Sequence, residues 1–177
     1  MLLTKIYVFY ILCFMSYNRQ KAVEYAFKWW NNRNPQFYNF DSLGGDCTNF
    51  INQCLNAGGI VMDNTVNTGW FYKSLNYRSP SWSGVNEFLS YALNNKLNVG
   101  VKAKVVPLTQ LEIGDIIQMR QNPARFNHTL LVTKIDNTNG LQLTPNNIYV
   151  TAHTFDVKDK KLSLYNYEQI KCLKVLN

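Results

Sequence analysis

Three side chains in the sequence have the chemistry needed to break an amide bond: Cys47, His128 and His153. Cys47 directly follows a Gly-Gly-Asp turn and begins a segment with the apolar period of a helix. A helix N-terminus carries roughly half a positive charge, which favours thiolate over thiol, and its N–H groups can bind a developing oxyanion. A thiolate beside an imidazole is a nucleophile for acyl transfer, provided that a third polar group orients the imidazole. The residue types therefore indicate a cysteine–histidine pair. The competing interpretation is a small buried cysteine and two half-buried strand histidines.

Three helices are predicted in the first part of the chain, over residues 18–32, 47–57 and 83–95. Asn18 is a residue type that caps a helix N-terminus, and the pair Gly58-Gly59 is a strong signal for a helix end. Residues 60–82 show no regular period, although they are rich in large aromatic side chains. The nucleophile candidate is thus predicted at the start of the second helix.

From about residue 100 the apolar pattern changes to that of strands. Strands are predicted over residues 101–106, 113–119, 128–135, 148–154 and 168–176. The two histidines lie on the third and fourth of these, and Asp115 follows Gly114 in a tight turn that we interpret as structural. Helices followed by an antiparallel-looking sheet are typical of an α+β fold, and no linker or repeat divides residues 17–177. We therefore expect a single domain and a monomer.

The composition is that of an ordinary globular protein with few charges. Charged residues make up 16% of the chain, and the formal net charge is +7. This excess favours anionic partners, such as wall polymers, or simply keeps the protein soluble. No Lys/Arg cluster is present, so nucleic-acid binding is not predicted. No cysteine belongs to a C-x-x-C pair, so a structural zinc site is not predicted either.

The N-terminus carries an apolar run over residues 6–15, preceded by one lysine. The run is too short to span a bilayer but fits the h-region of a secretory signal, although no clean cleavage site follows it. We interpret residues 1–16 as a signal or apolar leader and expect a secreted or cell-surface protein. A buried element or a mis-assigned start codon is the alternative, and the protein would then be cytoplasmic.

Residues 17–59 strongly resemble the opening of the bacterial putative amidase domain family, above all in the D-C-T-N-F block at residues 46–50. Later matches are S-W-S at 81–83, I-G-D-I-I-Q at 113–118, N-H-T-x-x-V-T at 127–133 and A-H-T at 152–154. That family belongs to the papain-like clan, alongside NlpC-type cell-wall peptidases and CHAP amidases. The resemblance implies a papain-like α+β fold and needs no metal or organic cofactor.

By position, the resemblance makes Cys47 the nucleophile, His128 the general base and His153 the residue that orients the base. Asn147 and Asp156 are alternatives for the orienting role. Five further residues are expected to shape the site or bind substrate: Asp46, Asn49, Gln53, Trp70 and Trp82. Asp46 is expected to shape the turn and cap the helix. The tryptophans either line a substrate groove or fill the core.

The resemblance implies a thiol amidohydrolase that cleaves an amide bond, in bacterial cell-wall peptide by analogy with the relatives. Transfer to another amine is an alternative reaction with the same residues. A non-catalytic module that binds wall peptides on the same fold is an alternative of a different class. A metal site formed by Cys47, His128 and His153 is a third, which lacks a fixed short ligand spacing.

Overall fold

The computed structural model describes residues 16–121, 123–137, 140 and 142–177. The predicted signal or leader falls almost entirely outside these described residues. Four helices are described: α1 (Arg19–Trp29), α2 (Cys47–Ala57), α3 (Pro80–Ser83) and α4 (Val85–Asn94). Within the described part of the chain, no helix has the length and apolarity needed to cross a membrane.

The strands form one small hairpin and one large sheet. The hairpin pairs β1 (Tyr72–Ser74) with β2 (Tyr77–Arg78). The sheet strands are β3 (Ala103–Val106), β4 (Ile116–Arg120), β5 (His128–Ile135), β6 (Ile148–Ala152), β7 (Val157–Lys161) and β8 (Gln169–Val175). Their order is β3-β8-β4-β5-β6-β7, and every neighbouring pair is antiparallel. The predicted α+β class with an antiparallel sheet is therefore confirmed.

The sheet separates two apolar cores because successive strand residues point to opposite faces. On the helix face, Leu131 of β5 belongs to a cluster that also contains side chains of α1, α2 and α4. On the other face, Leu130 and Val132 pack in a second cluster under the 3-10 turn Leu162–Leu164. Burial on both faces explains the consecutive apolar residues 130–132 in β5.

The helix boundaries follow the sequence signals closely. Asn18 is the N-cap of α1, and its side chain accepts a hydrogen bond from the Lys21 N–H. α2 ends at Ala57, and its C-cap residue Gly58 has an N–H that bonds back to the carbonyl oxygens of Cys54 and Asn56. These local signals act within one helix turn, so no distant contact is needed to set them.

The structural role expected for Asp115 is confirmed. Its carboxylate is buried and accepts from the Arg19 guanidinium at 2.6 Å, while Arg19 also donates to the Val175 carbonyl at 2.9 Å. Gly114 has a φ of 87°, and a Cβ there would lie 2.8 Å from the Arg19 side chain. The turn thus fastens the start of α1 to the central strands.

Four short elements were not predicted: α3, β1, β2 and β7. β1 and β2 fall within residues 60–82, where the sequence was expected to be irregular, and α3 begins at the end of that segment and extends one residue beyond it. β7 reads Val-Lys-Asp-Lys-Lys and has no apolar period, because it is the edge strand and its side chains are half-buried or exposed.

Candidate active site

The turn before α2 places Cys47 at a helix start that lies against β5 and β6. Gly44 and Gly45 have φ values of 98° and 109°, a backbone region that favours glycine. A Cβ at Gly45 would lie 3.1 Å from the Thr154 Oγ1, so the turn also approaches the chain just after β6 closely. The Asp46 N–H donates to that same oxygen at 2.7 Å. The turn that precedes Cys47 is therefore fixed both by its glycine backbone and by its contacts with Thr154.

Asp46 is the N-cap residue of α2, but its side chain does not cap the helix, so the carboxylate cap expected of it is wrong. Its side chain makes no hydrogen bond to an N–H of the helix. Instead, one carboxylate oxygen accepts from the Phe40 N–H at 2.9 Å and from the Asn49 amide at 2.8 Å. Its other oxygen faces His153. The first-turn N–H groups of α2 therefore have no bond from this carboxylate.

The Cys47 thiol is buried at the junction of α2 and β5, with 5% of the residue exposed. Its sulfur contacts the Thr129 backbone N–H and lies 3.8 Å from the Thr48 hydroxyl. The Thr48 hydroxyl in turn lies 2.9 Å from the Thr129 hydroxyl, which joins helix to strand. Burial raises the pKa of the Cys47 thiol, outweighing the hydrogen bonds of Thr129 and Thr48, which lower it. The lowered pKa expected from the helix end alone is thus wrong for this resting structure.

His128 is the residue bonded to Thr129, so the thiol lies beside the peptide bond that joins them. The imidazole is buried and packs on the face of β5 opposite the Thr129 hydroxyl, with its ring centroid 6.3 Å from that of Tyr165. Burial and, as a smaller contribution, the positive charge of Lys160 together lower the pKa of His128 to about 4. At neutral pH the imidazole is therefore uncharged and able to accept a proton.

His153 lies on the helix face of the sheet, where it contacts Asp46 rather than His128. Its Nδ1 is 2.6 Å from the Asp46 Oδ2, and its Nε2 is 2.9 Å from the Trp29 carbonyl oxygen. Its ring stacks on Phe50 with centroids 3.7 Å apart. Because both nitrogens are engaged, the structure does not bring His153 to His128 as an orienting partner.

The two tryptophans expected at a substrate groove are core residues, so that prediction is wrong. Trp70 and Trp82 are both fully buried. Their indole N–H groups donate to the side-chain oxygens of Asn52 and Asn49, each at 2.8 Å. This is the core-filling alternative, with each indole N–H satisfied internally.

The remaining predicted substrate-binding residues also face inward. Asn49 donates to the Tyr38 carbonyl as well as to Asp46, and Gln53 accepts from the Tyr25 hydroxyl at 2.7 Å. Asp46, Asn49 and Gln53 are each less than 5% exposed. In this structure their polar groups support the turn and the helix packing beneath the thiol.

Arg33 is a residue of the site that the sequence analysis did not single out. Its guanidinium donates to Asp41 at 2.7 Å and to Asp156 at 2.8 Å, and it lies 3.6 Å from the Asp46 carboxylate. It therefore ties the segment before the nucleophile turn to the chain after β6. No spacing pattern signals this role, since Arg33 and Asp156 are 123 positions apart.

The described residues contain no group of three His, Cys, Asp or Glu side chains placed to hold a metal ion. The proposed trio of Cys47, His128 and His153 is divided, because His153 is engaged with Asp46 on the helix face while His128 packs against Tyr165. A cavity of about 600 Å³ lies elsewhere, between residues 63–69 and α4, and none of the predicted catalytic residues lines it.

Comparisons with known proteins identify the family to which the sequence blocks around this site belong. The family model of the putative amidase domain matches residues 16–175. The chain is 37% identical over 156 residues to "Uncharacterized protein YhbB" of Bacillus subtilis (strain 168). The aligned residues make up 86% of this chain and 45% of that protein. The chain thus spans a little less than half the length of this relative. No solved structure matches the chain. With its family model matched over nearly all of the described residues, the chain belongs to the putative amidase domain family.

Proposed function

We propose that the protein is a thiol-dependent amidohydrolase in which Cys47 is the nucleophile and His128 the general base. The observation that carries this proposal is the position of the Cys47 sulfur against the Thr129 N–H. That nitrogen is bonded directly to the His128 carbonyl carbon, so the thiol and the backbone of the histidine are neighbours. The His128 ring packs on the other face of β5, so the hydrogen bond to the thiol requires a side-chain movement of His128, as catalytic contacts in unliganded enzymes often tighten only with substrate.

The family resemblance extends this proposal to a papain-like fold related to NlpC-type peptidases and CHAP amidases. Two features of the structure support it. A cysteine begins a helix that packs on an antiparallel sheet, and a histidine begins the strand that contacts the cysteine. We propose the papain-like relationship from this arrangement together with the sequence blocks. It concerns the fold only, because a fold does not by itself fix the reaction.

The proposed reaction has two steps. In the first, the Cys47 sulfur attacks the amide carbonyl carbon while His128 takes the thiol proton, and the carbonyl oxygen becomes an oxyanion. The oxyanion is held by the Cys47 N–H and a neighbouring N–H of the first turn of α2, to which the Asp46 side chain makes no bond. His128 then protonates the leaving amine as the C–N bond breaks.

In the second step, water attacks the thioester carbonyl carbon and gives a proton to His128. The C–S bond breaks, the proton returns to the sulfur, and a carboxylic acid leaves. Transfer differs only in that an amine replaces the water. Because burial raises the pKa of Cys47 and lowers that of His128, the resting pair is thiol and neutral imidazole. His128 therefore acts as a general base during attack, rather than through a preformed ion pair.

We propose bacterial cell-wall peptide as the substrate class and the cell surface or the outside of the cell as the site of action. The support is the relationship to wall-acting enzymes and the net charge of +7, which attracts anionic wall polymers at low salt. Purified wall material separates the two classes of function. Soluble fragments released by the protein mean hydrolysis, whereas retention without release means binding.

A non-catalytic peptide-binding module remains the second candidate, because one observation favours it. The Cys47 thiol is almost fully buried, and the structure describes no hydrogen bond between it and the His128 ring. A thiol in that environment is inert unless substrate or a side-chain movement brings the base to it.

p-Nitrophenyl acetate tests catalysis without knowledge of the natural substrate. We expect mass spectrometry to find an acetyl group on Cys47, and p-nitrophenolate to be released continuously as that thioester turns over. His128→Ala should slow turnover by about 10²- to 10⁴-fold, the usual contribution of a general base. It should also leave the acetyl group on Cys47, since deacylation loses its base. Cys54→Ala is the matched control, because Cys54 lies two turns along the same helix and is fully buried.

The pH profile gives a second test of the same assignment. Only neutral His128 can accept the proton, and its pKa is about 4, so turnover should be flat near neutral pH and fall as the pH drops through about 4. Absence of acetyl-Cys47, or equal turnover by the His128→Ala variant, would favour the binding module.

A further inference from the structure

A histidine that acts as a base through one ring nitrogen needs a partner at its other nitrogen, which fixes the ring in a productive orientation. The three residues expected to supply that partner are all engaged elsewhere. His153 bonds to Asp46 and the Trp29 carbonyl, and Asp156 pairs with Arg33. Asn147 accepts from the Thr144 hydroxyl at the start of β6. The orienting partner of His128 must therefore be another residue.

Tyr165 is the aromatic neighbour of His128 on its own face of the sheet. It follows the 3-10 turn Leu162–Leu164, and its ring packs 6.3 Å from the imidazole, centroid to centroid. Its hydroxyl is buried and has no hydrogen-bond partner among the described residues. An unsatisfied buried hydroxyl is unfavourable in proteins, so such a group calls for a physical explanation.

Lys160 also contacts the ring of this tyrosine. Its Nζ lies 4.1 Å from the centroid of the Tyr165 ring, in a cation–π contact. The tyrosine ring thus lies beside a cation as well as beside the imidazole. Lys160 is the charged group that acts on His128 from β7, and its charge lowers the pKa of His128.

We propose that Tyr165 is the positioning residue of His128, and that its hydroxyl reaches one imidazole nitrogen through one bridging water while the other nitrogen serves Cys47. This inference rests on the proposed function and assigns the orienting role within it. When His128 takes the thiol proton, the second ring N–H donates to the water, and the water donates to the tyrosine oxygen. The hydroxyl then has a partner, and the imidazolium is stabilised when it forms.

Tyr165→Phe keeps the ring and removes only the hydroxyl, and Tyr167→Phe is its matched control. Tyr167 is also half-buried and packs against the same apolar cluster, two positions along the chain. With p-nitrophenyl acetate we expect Tyr165→Phe to lower kcat about tenfold, the effect of losing one hydrogen bond to a charged ring, with KM unchanged. Acetyl-Cys47 should accumulate. Tyr167→Phe should behave as the wild type.

Nitrogen-15 NMR of the His128 ring provides a readout that packing alone would not move. Tyr165→Phe should change the ring nitrogen shifts and the tautomer ratio, whereas Tyr167→Phe should leave both unchanged. Equal kcat and equal ring shifts in the two variants, together with a slow His128→Ala variant, would overturn the role of Tyr165 and leave the proposed function standing. An undiminished His128→Ala variant would instead refute the proposed function itself.

Protein stability separates a positioning hydroxyl from a structural one. Because the Tyr165 hydroxyl bonds to no described group, its removal should not lower the Tm by more than about 2 °C. A larger loss of Tm would show a structural partner for the hydroxyl and would also overturn the proposal.

Discussion

Replacing His153 by alanine separates a structural histidine from a catalytic one. The imidazole joins three parts of the molecule: the Asp46 carboxylate at 2.6 Å, the Trp29 carbonyl at 2.9 Å and the Phe50 ring at 3.7 Å. Asp46 immediately precedes the nucleophile candidate. His153→Ala should therefore destabilise the whole turn on which Cys47 depends.

The size of the effect follows from burial. The side chains of His153 and Asp46 are each only 1% exposed, so removing the imidazole leaves the Asp46 carboxylate buried without its closest partner. Breaking a buried pair of this kind costs about 3–5 kcal/mol, and the lost ring stacking adds roughly 1 kcal/mol. For a domain of this length each kcal/mol lowers the Tm by about 2–4 °C, so we expect a fall of about 10 °C or more.

The assay is thermal unfolding followed by circular dichroism, with turnover of p-nitrophenyl acetate measured well below the transition. His128→Ala is the matched control, because His128 is also buried but has no described hydrogen bond to lose. It should lower the Tm less than His153→Ala and turnover more. A Tm for His153→Ala within about 3 °C of the wild type, combined with a block of deacylation like that of His128→Ala, would refute this reasoning. It would make His153 the orienting residue.

Two further changes test the environment of the base and the support beneath the thiol. Lys160→Met keeps the aliphatic stem but removes the charge that lowers the pKa of His128, so the acid limb of turnover should move to higher pH; an unmoved limb would exclude Lys160 as its cause. Trp82→Phe removes the donor to the Asn49 Oδ1 at 2.8 Å and leaves that buried oxygen unpaired. The expected cost is about 1–3 kcal/mol, measurable as a lower urea midpoint, and an unchanged midpoint would show that the oxygen finds another donor.

The sequence was sufficient for the features that local interactions decide. The cap at Asn18, the glycines after α2 and the apolar run of β5 each act over a few residues, so their elements were predicted with nearly correct boundaries. The same holds for the position of Cys47 at a helix start and for the family blocks that surround it. Short elements such as β7 escaped prediction because its Lys-Asp-Lys-Lys sequence has no apolar period.

Tertiary structure decided what each candidate side chain contacts. His153 and Asp46 are 107 positions apart, and only the packing of α2 against the end of β6 brings them together. An aromatic residue in an irregular segment can face a groove or the core, and packing placed Trp70 and Trp82 in the core. The sequence did not indicate roles for Tyr165 and Arg33. Their contacts are with residues far away along the chain, which only the folded structure brings close.

The charge states of the site show the same division in energetic terms. The sequence predicted a helix N-terminus at Cys47, and that effect alone lowers a thiol pKa. It contained no information on how much solvent would reach the sulfur or on how near Lys160 would lie to His128. Burial opposes charge on both groups, so the resting pair is neutral. Residue types and spacing determined which groups are available for chemistry, whereas desolvation and distance, which exist only in the folded chain, determined their protonation.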